Sequence, residues 1–487
     1  MGRVTLPLKK RTLPKGKRSR IDHDDDHGDG DGDVDVDDEI SKLPDDILVS
    51  ILSCLSLRDA ARTSVLSRRW ENLWTLISRR LDFDWSSTME DLRWLRKERS
   101  RERSRYANWV NRVLGNHRAS KLDELRICFD IDNAYFRDID NWVEFAARKE
   151  VKKLDLGFPG RWGGVLTDPY AFLGLDGIAI LAKNKGQKWN SVFFSLTDLT
   201  LSFVSVKDEV VQYFLANCPN LVSLCVKGSK VSVNLEVSDP FLKLKSLKIL
   251  ECPNMKRVKV SAPDLASFGY HGPLIDVPFK DVPLLSEVYF GGENTISLVD
   301  HYQQLFGYFS MLKILKLDMS FSVFNSVARN FETQFPALSN LEQLELSTMA
   351  FGNQCLLWPF LMIKAAPFLH RFSMQMLFKS YEELYARNQL TIEDQLKKLK
   401  EAILFSHQCL KEVELIGFTG FKNTVEFWLW LLEIAVSIEK VTIDVCHPSL
   451  EERPWLDVKT GDLDTARDRV RELTKTTYHH PIDIIIL

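Results

Sequence analysis

The sequence predicts an α/β protein. A short three-helix module stands near the N-terminus, a solenoid with one curved parallel sheet follows, and a further α/β segment ends the chain. Three observations carry this expectation. Residues 40–76 hold a dense apolar pattern of helical period. An apolar-x-x-apolar-x-apolar phrase returns thirteen times between Leu122 and Ile443. Residues from His407 to Pro448 then read as strand, turn, helix and strand.

Composition sets the outer limits. The 487 residues carry 64 Lys and Arg against 67 Asp and Glu, a net charge of −3. A balance so close to neutral gives no global attraction to nucleic acid or to a membrane surface. The eight cysteines include no CxxC pair, and no secretory apolar region follows Met1. Reduced thiols in the nucleus or cytoplasm are therefore expected. No apolar run approaches the roughly 18 residues that a spanning helix needs. The nearest, Phe427 to Leu432, is stopped by Glu433.

Residues 1–39 form a leader of opposed charges. Lys9, Lys10, Arg11, Lys15, Lys17, Arg18 and Arg20 come first, and an acidic tract from Asp22 to Glu39 follows. Such a stretch buries too little apolar surface to offset its ordering entropy, so disorder is expected. The basic half resembles a nuclear-import signal, and the plainer alternative is a solubilising tail. A calcium loop fails on ligands. Asp25, Asp29 and Gly30 fit positions one, five and six, but His27 falls at three and Val36 at twelve, where a bidentate Glu is required.

The module at 40–80 follows. Pro44 suits a first helical turn, and Asp45 and Asp46 complement the helix dipole there. Ile47, Leu48, Ile51, Leu52 and Leu55 recur at helical spacing. Ser56 with Asp59 reads as a capping box for a second helix. Ser67 is the expected N-cap of a third, which carries Trp70, Leu73 and Trp74. Helices this short cannot hide so many large apolar groups, so the module needs a partner or the following domain.

These residues carry a resemblance. Leu43-Pro44-Asp45-Asp46-Ile47-Leu48, Ile51-Leu52, Leu55, the run Ala60 to Trp70, and Leu73-Trp74 are similar to the F-box in its plant form, without a gap. The resemblance implies docking to the Skp-type adaptor of a cullin-based ubiquitin ligase. By position it assigns Leu43, Pro44, Ile47, Leu48, Ile51, Leu52, Val65, Leu66 and Trp70 to the adaptor contact and its immediate support. Which face each presents is left open.

A linker at 81–119 is expected to be helical around Leu92, Leu95, Trp109, Val110, Val113 and Leu114. Its charged run, Arg96 to Arg105, reads as a solvated face or loop. The array at 120–405 comes next, with phrases such as Leu122-Leu125-Ile127, Leu221-Leu224-Val226 and Leu341-Leu344-Leu346. Most successive starts lie 23 to 29 residues apart, the period of leucine-rich repeats, in which each unit is a strand plus a return segment. Between Met255 and Tyr270 the phrases crowd together, so bare strand-and-turn returns are expected. A long step after residue 151 holds Arg161-Trp162-Gly163-Gly164, expected as an exposed loop. The competing architecture is two α/β domains joined near 295–305.

The last segment, 406–487, is similar to the FBD region of plant proteins that carry an F-box and leucine-rich repeats. Leu410, Val413, Leu415, Gly417, Phe418, Phe427, Leu431, Leu432 and Val441 to Ile443 carry that likeness.

No motif for nucleophilic, metal-assisted or phosphoryl chemistry stands in the chain. His479-His480 has no cysteine at zinc spacing. Cys218 and Cys252 occupy equivalent repeat positions as small buried residues, and Trp428 and Trp430 sit in an apolar helix. No catalytic residue, metal or cofactor is expected. The resemblances imply a non-catalytic receptor that binds the Skp-type adaptor, and through it a cullin, by the module and a protein target by the repeats. No target-binding residue is assigned. Two alternatives stand beside it: a repeat scaffold with its module packed internally, and a nucleic-acid binder resting on Lys9–Arg20 and Arg96–Arg105.

Overall fold

The computed structural model describes residues 40–85, 96–160, 168–184, 192–238, 242–275, 277–292, 310–319, 337–351, 356, 359–379, 404–418, 420, 422–445, 463–476 and 482–487. The leader, Leu92 and Leu95, the glycine-rich stretch at 161–164 and His479-His480 lie outside these residues.

The chain opens on α1 (Asp45–Leu52), α2 (Leu57–Arg62) and a 3-10 helix, Trp70–Leu76. Strands β1 (Arg80–Asp84), β2 (Glu124–Cys128), β3 (Lys153–Gly157), β4 (Asp198–Ser202), β5 (Ser223–Lys227), β6 (Asn234–Ser238), β7 (Ser246–Leu250), β8 (Arg257–Ser261) and β9 (Ser267–Gly272) follow in order. The series continues with β10 (Phe279–Lys280), β11 (Glu287–Gly292), β12 (Ile314–Asp318), β13 (Gln343–Phe351), β14 (Arg371–Lys379), β15 (Glu412–Ile416), β16 (Lys440–Asp444) and β17 (Asp483–Ile486). Between them lie α3 (Arg96–Asn116), α4 (Phe136–Arg148), α5 (Leu175–Asn184), α6 (Asp208–Asn217), α7 (Pro359–Ala365), α8 (Lys422–Ile434) and α9 (Leu463–Thr476).

Fourteen strands form one parallel sheet, in the order β1-β2-β3-β4-β5-β7-β9-β11-β12-β13-β14-β15-β16-β17. Each repeat phrase supplies one strand, and all residues of the thirteen phrases are buried. Their middle residues sit opposite one another in register. An unbroken apolar row runs from Leu81 through Leu125, Leu154 and Leu199 to Leu344, Val441 and Ile484. No single unit can cover such a row, so stacking of neighbours buries it.

The fast phrases resolve into two layers. Met255-Val258-Val260 builds β8 of a second, three-stranded sheet, order β10-β8-β6, while Leu265-Phe268-Tyr270 builds β9 of the main sheet. Strand returns there replace the helices of other units, as the short steps predict.

Several expectations are corrected. The two-domain architecture fails because β11 pairs directly with β12, Glu287 opposite Ile314. The main sheet runs from Arg80 to Ile486 in sequence order, with β6, β8 and β10 set apart in the second sheet. The run Arg96 to Arg105 is not a loop but the first half of α3, with Arg101 and Arg105 exposed and Arg99 and Arg103 half-buried. Ser67 caps nothing: the third helix is 3-10, begins at Trp70 after Arg69, and has no side-chain cap. Pro44 stands one residue before the helix, with ψ 153°.

At the end of β11, Gly292 holds φ at +74°, and a Cβ there would lie 2.6 Å from the Gly272 carbonyl oxygen. Only glycine tolerates both conditions.

Candidate functional site: the exposed face of the helical module

Local chemistry fixes the module. Ser56 accepts a hydrogen bond from the Asp59 backbone N–H at 3.2 Å and donates its hydroxyl to the Asp59 carboxylate at 2.7 Å. Arg62 closes on the same carboxylate at 3.0 Å. The Ser56 hydroxyl first, and then Arg62, hold the Asp59 carboxyl below its usual range. Arg69 ties the ends of the module together, donating to the Asp45 carboxylate at 2.8 Å and to the Leu43 carbonyl.

Burial divides the nine positions assigned from the resemblance. Leu48, Leu52 and Trp70 are internal, at 0%, 1% and 6% exposure. Val65 and Leu66 stand in solvent at 86% and 65%, and Ile47 and Ile51 at 44% and 43%. Pro44 is exposed beside them and Leu43 is half-buried. Leu55, quoted in the motif but not assigned to the contact, is also exposed at 45%. The helical stripe therefore faces two ways: α1 turns Leu48 and Leu52 inward and Ile47 and Ile51 outward. A charge at Leu48 would test folding, not docking.

The module is bonded to the edge of the sheet. The Arg118 backbone N–H donates to the Thr75 carbonyl at 2.8 Å, and that of Asp123 to the Ser78 carbonyl at 2.8 Å. His117 donates from Nε2 to the Ile77 carbonyl at 2.8 Å, and burial pushes its imidazole below its ordinary value. The Arg58 guanidinium lies 5.3 Å from the centre of the Trp85 ring. On α3, Arg103 donates to the Asp130 carbonyl at 2.8 Å and pairs with the carboxylates of Asp130 and Asp132, and Arg99 also pairs with Asp130. Those arginines bind protein, which removes them from a nucleic-acid surface.

The sheet offers a second region. Phrase residues point to the buried side, so the alternate positions form an open polar face. Ion pairs cover it at β1–β3 and at β11–β13. Arg126 reaches Asp84 at 3.0 Å and Asp155 at 3.3 Å, and Lys316 reaches Glu287 at 3.1 Å and Glu345 at 3.4 Å.

Buried cysteines and histidines serve the core. Burial pushes the Cys218 and Cys252 thiols up to about 12, which leaves them protonated and unreactive at neutral pH. At His407, Nδ1 accepts from the backbone N–H of Leu410 at 3.1 Å and Nε2 donates to the Ala366 carbonyl at 2.9 Å. Its ring is thereby held neutral, and burial lowers its pKa. Among the described residues, no three His, Cys, Asp or Glu side chains gather as a metal site, and no helix is long and apolar enough to cross a membrane.

Comparison with known proteins supplies the family. The F-box domain model matches residues 40–81, which include the exposed patch. The model described as At1g61320/AtMIF1, LRR domain, matches residues 113–477, well over half of the chain. The chain belongs to the F-box/LRR-repeat family. Similar proteins come from Arabidopsis thaliana. F-box/LRR-repeat protein At3g03360 is 30% identical over 240 residues, 47% of this chain and 46% of that protein. F-box/FBD/LRR-repeat protein At5g56420 is 28% identical over 354 residues, 64% of this chain and 71% of that protein. F-box/FBD/LRR-repeat protein At3g51530 is 26% identical over 305 residues, 58% and 60% of the two chains. The chain thus matches about half the length of the first of these and less than two thirds of the third. Two of these relatives carry FBD in their names. The family is generally one of non-catalytic adaptor-type proteins.

Proposed function

We propose that this F-box/LRR-repeat protein is the substrate-recognition subunit of an SCF-type cullin ubiquitin ligase. The Skp-type adaptor docks on Val65, Leu66, Ile47, Ile51 and Pro44, with Leu43 at the margin, while Leu48, Leu52 and Trp70 support that face from within. One observation carries the proposal: an F-box-matched module leaves Val65 and Leu66 at 86% and 65% exposure on a chain that buries every residue of its repeat phrases. Covering a side chain of that size contributes about 1.5–3 kcal/mol, which is ample for a stable complex from several residues.

The repeat array holds a protein target, and the cullin follows the adaptor. The chain itself supplies no covalent chemistry in this mechanism. It raises the effective concentration of a target lysine beside a ubiquitin-loaded conjugating enzyme. Reduced thiols and the basic half of the leader favour the nucleus or cytoplasm as its place.

Co-purification with a Skp-type adaptor tests the proposal. A stoichiometric complex with the wild type, lost in Val65→Asp, is the expected result. A folded chain that ignores the adaptor would instead favour the repeat scaffold.

A further inference from the structure

The open face of the sheet is not uniform along its length. At β1–β4 and from β11 onward it carries more carboxylates than bases, with cations such as Arg80, Arg126, Lys153, Lys316 and Arg371 tied into ion pairs. The three neighbouring strands β5, β7 and β9 differ. None of their outward positions is acidic. Ser223, Ser246 and Ser267 stand side by side in register, and their hydroxyls make no hydrogen bond among the described residues.

Lys248 lies at the centre of this island, between Cys225 and Gly269. It is exposed and has no ion-pair partner among the described residues. Two further basic side chains border it. Lys227 pairs with Glu251 at 3.2 Å, and His271 lies 3.5 Å from Asp318. An uncompensated ammonium among free hydroxyls, with acidic surface on either side, is a local attraction for anions.

The chain carries a matching anion. Its residues from Asp22 to Glu39 hold eleven carboxylates and no base apart from two histidines. This tract joins the described structure at Ile40, in the module that is bonded to the β1 edge. Strand β7 stands sixth in the sheet order, five steps from β1. At about 4.8 Å a step that is about 24 Å. A tract of this length reaches at most about 60 Å, so reach sets no obstacle. Tethering also gives it an effective concentration in the millimolar range, above that of any acidic segment offered in trans.

We propose that the acidic leader of this chain, Asp22 to Glu39, docks on the island of Lys248, Ser223, Ser246 and Ser267, and so occupies the middle of the open sheet face until another ligand displaces it. The contact is electrostatic and weakens as salt rises. It is independent of adaptor docking, which uses exposed apolar residues on a different element.

The test uses a labelled peptide of residues 20–39 and three chains: full length, a chain lacking residues 1–39, and that shorter chain with Lys248→Glu. The deletion removes no described residue, and Lys248 is exposed, so thermal melting checks that all three fold alike. Fluorescence anisotropy should show the peptide binding the shortened chain, with affinity for the full-length chain and for Lys248→Glu lower by about tenfold or more. Equal binding to full-length and shortened chains would overturn the proposal, because the face would then be free in the intact protein. Binding indifferent to Lys248→Glu, or no binding to any chain, would also overturn it. Adaptor co-purification on the same samples reports the ligase proposal separately.

Discussion

In the module, Val65 and Leu66 stand in solvent on elements of a few residues each, whereas in the array all residues of thirteen repeat phrases are buried. The two regions have similar apolar content but different geometry. Each strand of the main sheet from β2 to β16 lies between two neighbours, and an in-register row of Leu, Val, Phe and Ile continues across its fourteen strands. The module has one neighbour, the sheet edge at β1, and a helix covered on one side exposes the other. Leu48 and Ile47 are adjacent in sequence and identical in hydropathic character, yet one supports and the other projects. The apolar residues of the repeat phrases therefore mean stability, and those on the outward face of the module are the ones the proposal assigns to association.

The largest break in that contrast comes from the array. Leu344→Ala, at a fully buried position on β13, should cost about 2–5 kcal/mol by denaturant unfolding, through lost transfer energy and the cavity left behind. A cost under about 1 kcal/mol would show that the row is loosely packed. Gly292→Ala should follow at about 2 kcal/mol or more, because it adds a left-handed alanine to a backbone clash at the Gly272 carbonyl. Ser56→Ala removes the cap of α2 and should lower stability by about 1 kcal/mol without touching the outward apolar residues.

The smallest effect is on pH. His117 and His407 are held neutral and their pKa values lie below the ordinary value. The unfolded chain takes up their protons near pH 6.5 while the fold resists. Their contribution is complete above that pH and is lost as pH falls from about 6.5 through the lowered folded values. The melting temperature should drop between pH 7.5 and 5.5, and His407→Gln should reduce that drop. An unchanged pH slope in the variant would contradict the assignment.

The repeat strands were legible because their apolar period repeats. Those missed lack it for visible reasons. On β1 and β6 the first phrase position is Ser78 or Ser232 in place of an apolar residue, and the buried Ser232 hydroxyl is satisfied by the Val206 carbonyl at 2.7 Å. The role of Arg96 to Arg105 was hidden because Arg103 meets Asp130, 27 residues along the chain, and no local pattern announces that pair. In the module the motif was legible and its orientation was not. Spacing places Ile47, Leu48, Ile51 and Leu52 on one stripe, and only the packing of α1 against the Trp70–Leu76 helix divides them.

The most direct test of the central claim is a titration of a Skp-type adaptor against Val65→Asp and Leu48→Ala, each beside its own unfolding curve. The account predicts that Val65→Asp keeps wild-type stability within about 0.5 kcal/mol and loses about 2 kcal/mol or more of adaptor affinity. Leu48→Ala should do the reverse, losing stability while the folded fraction still binds. Undiminished adaptor affinity in a folded Val65→Asp chain would contradict the account.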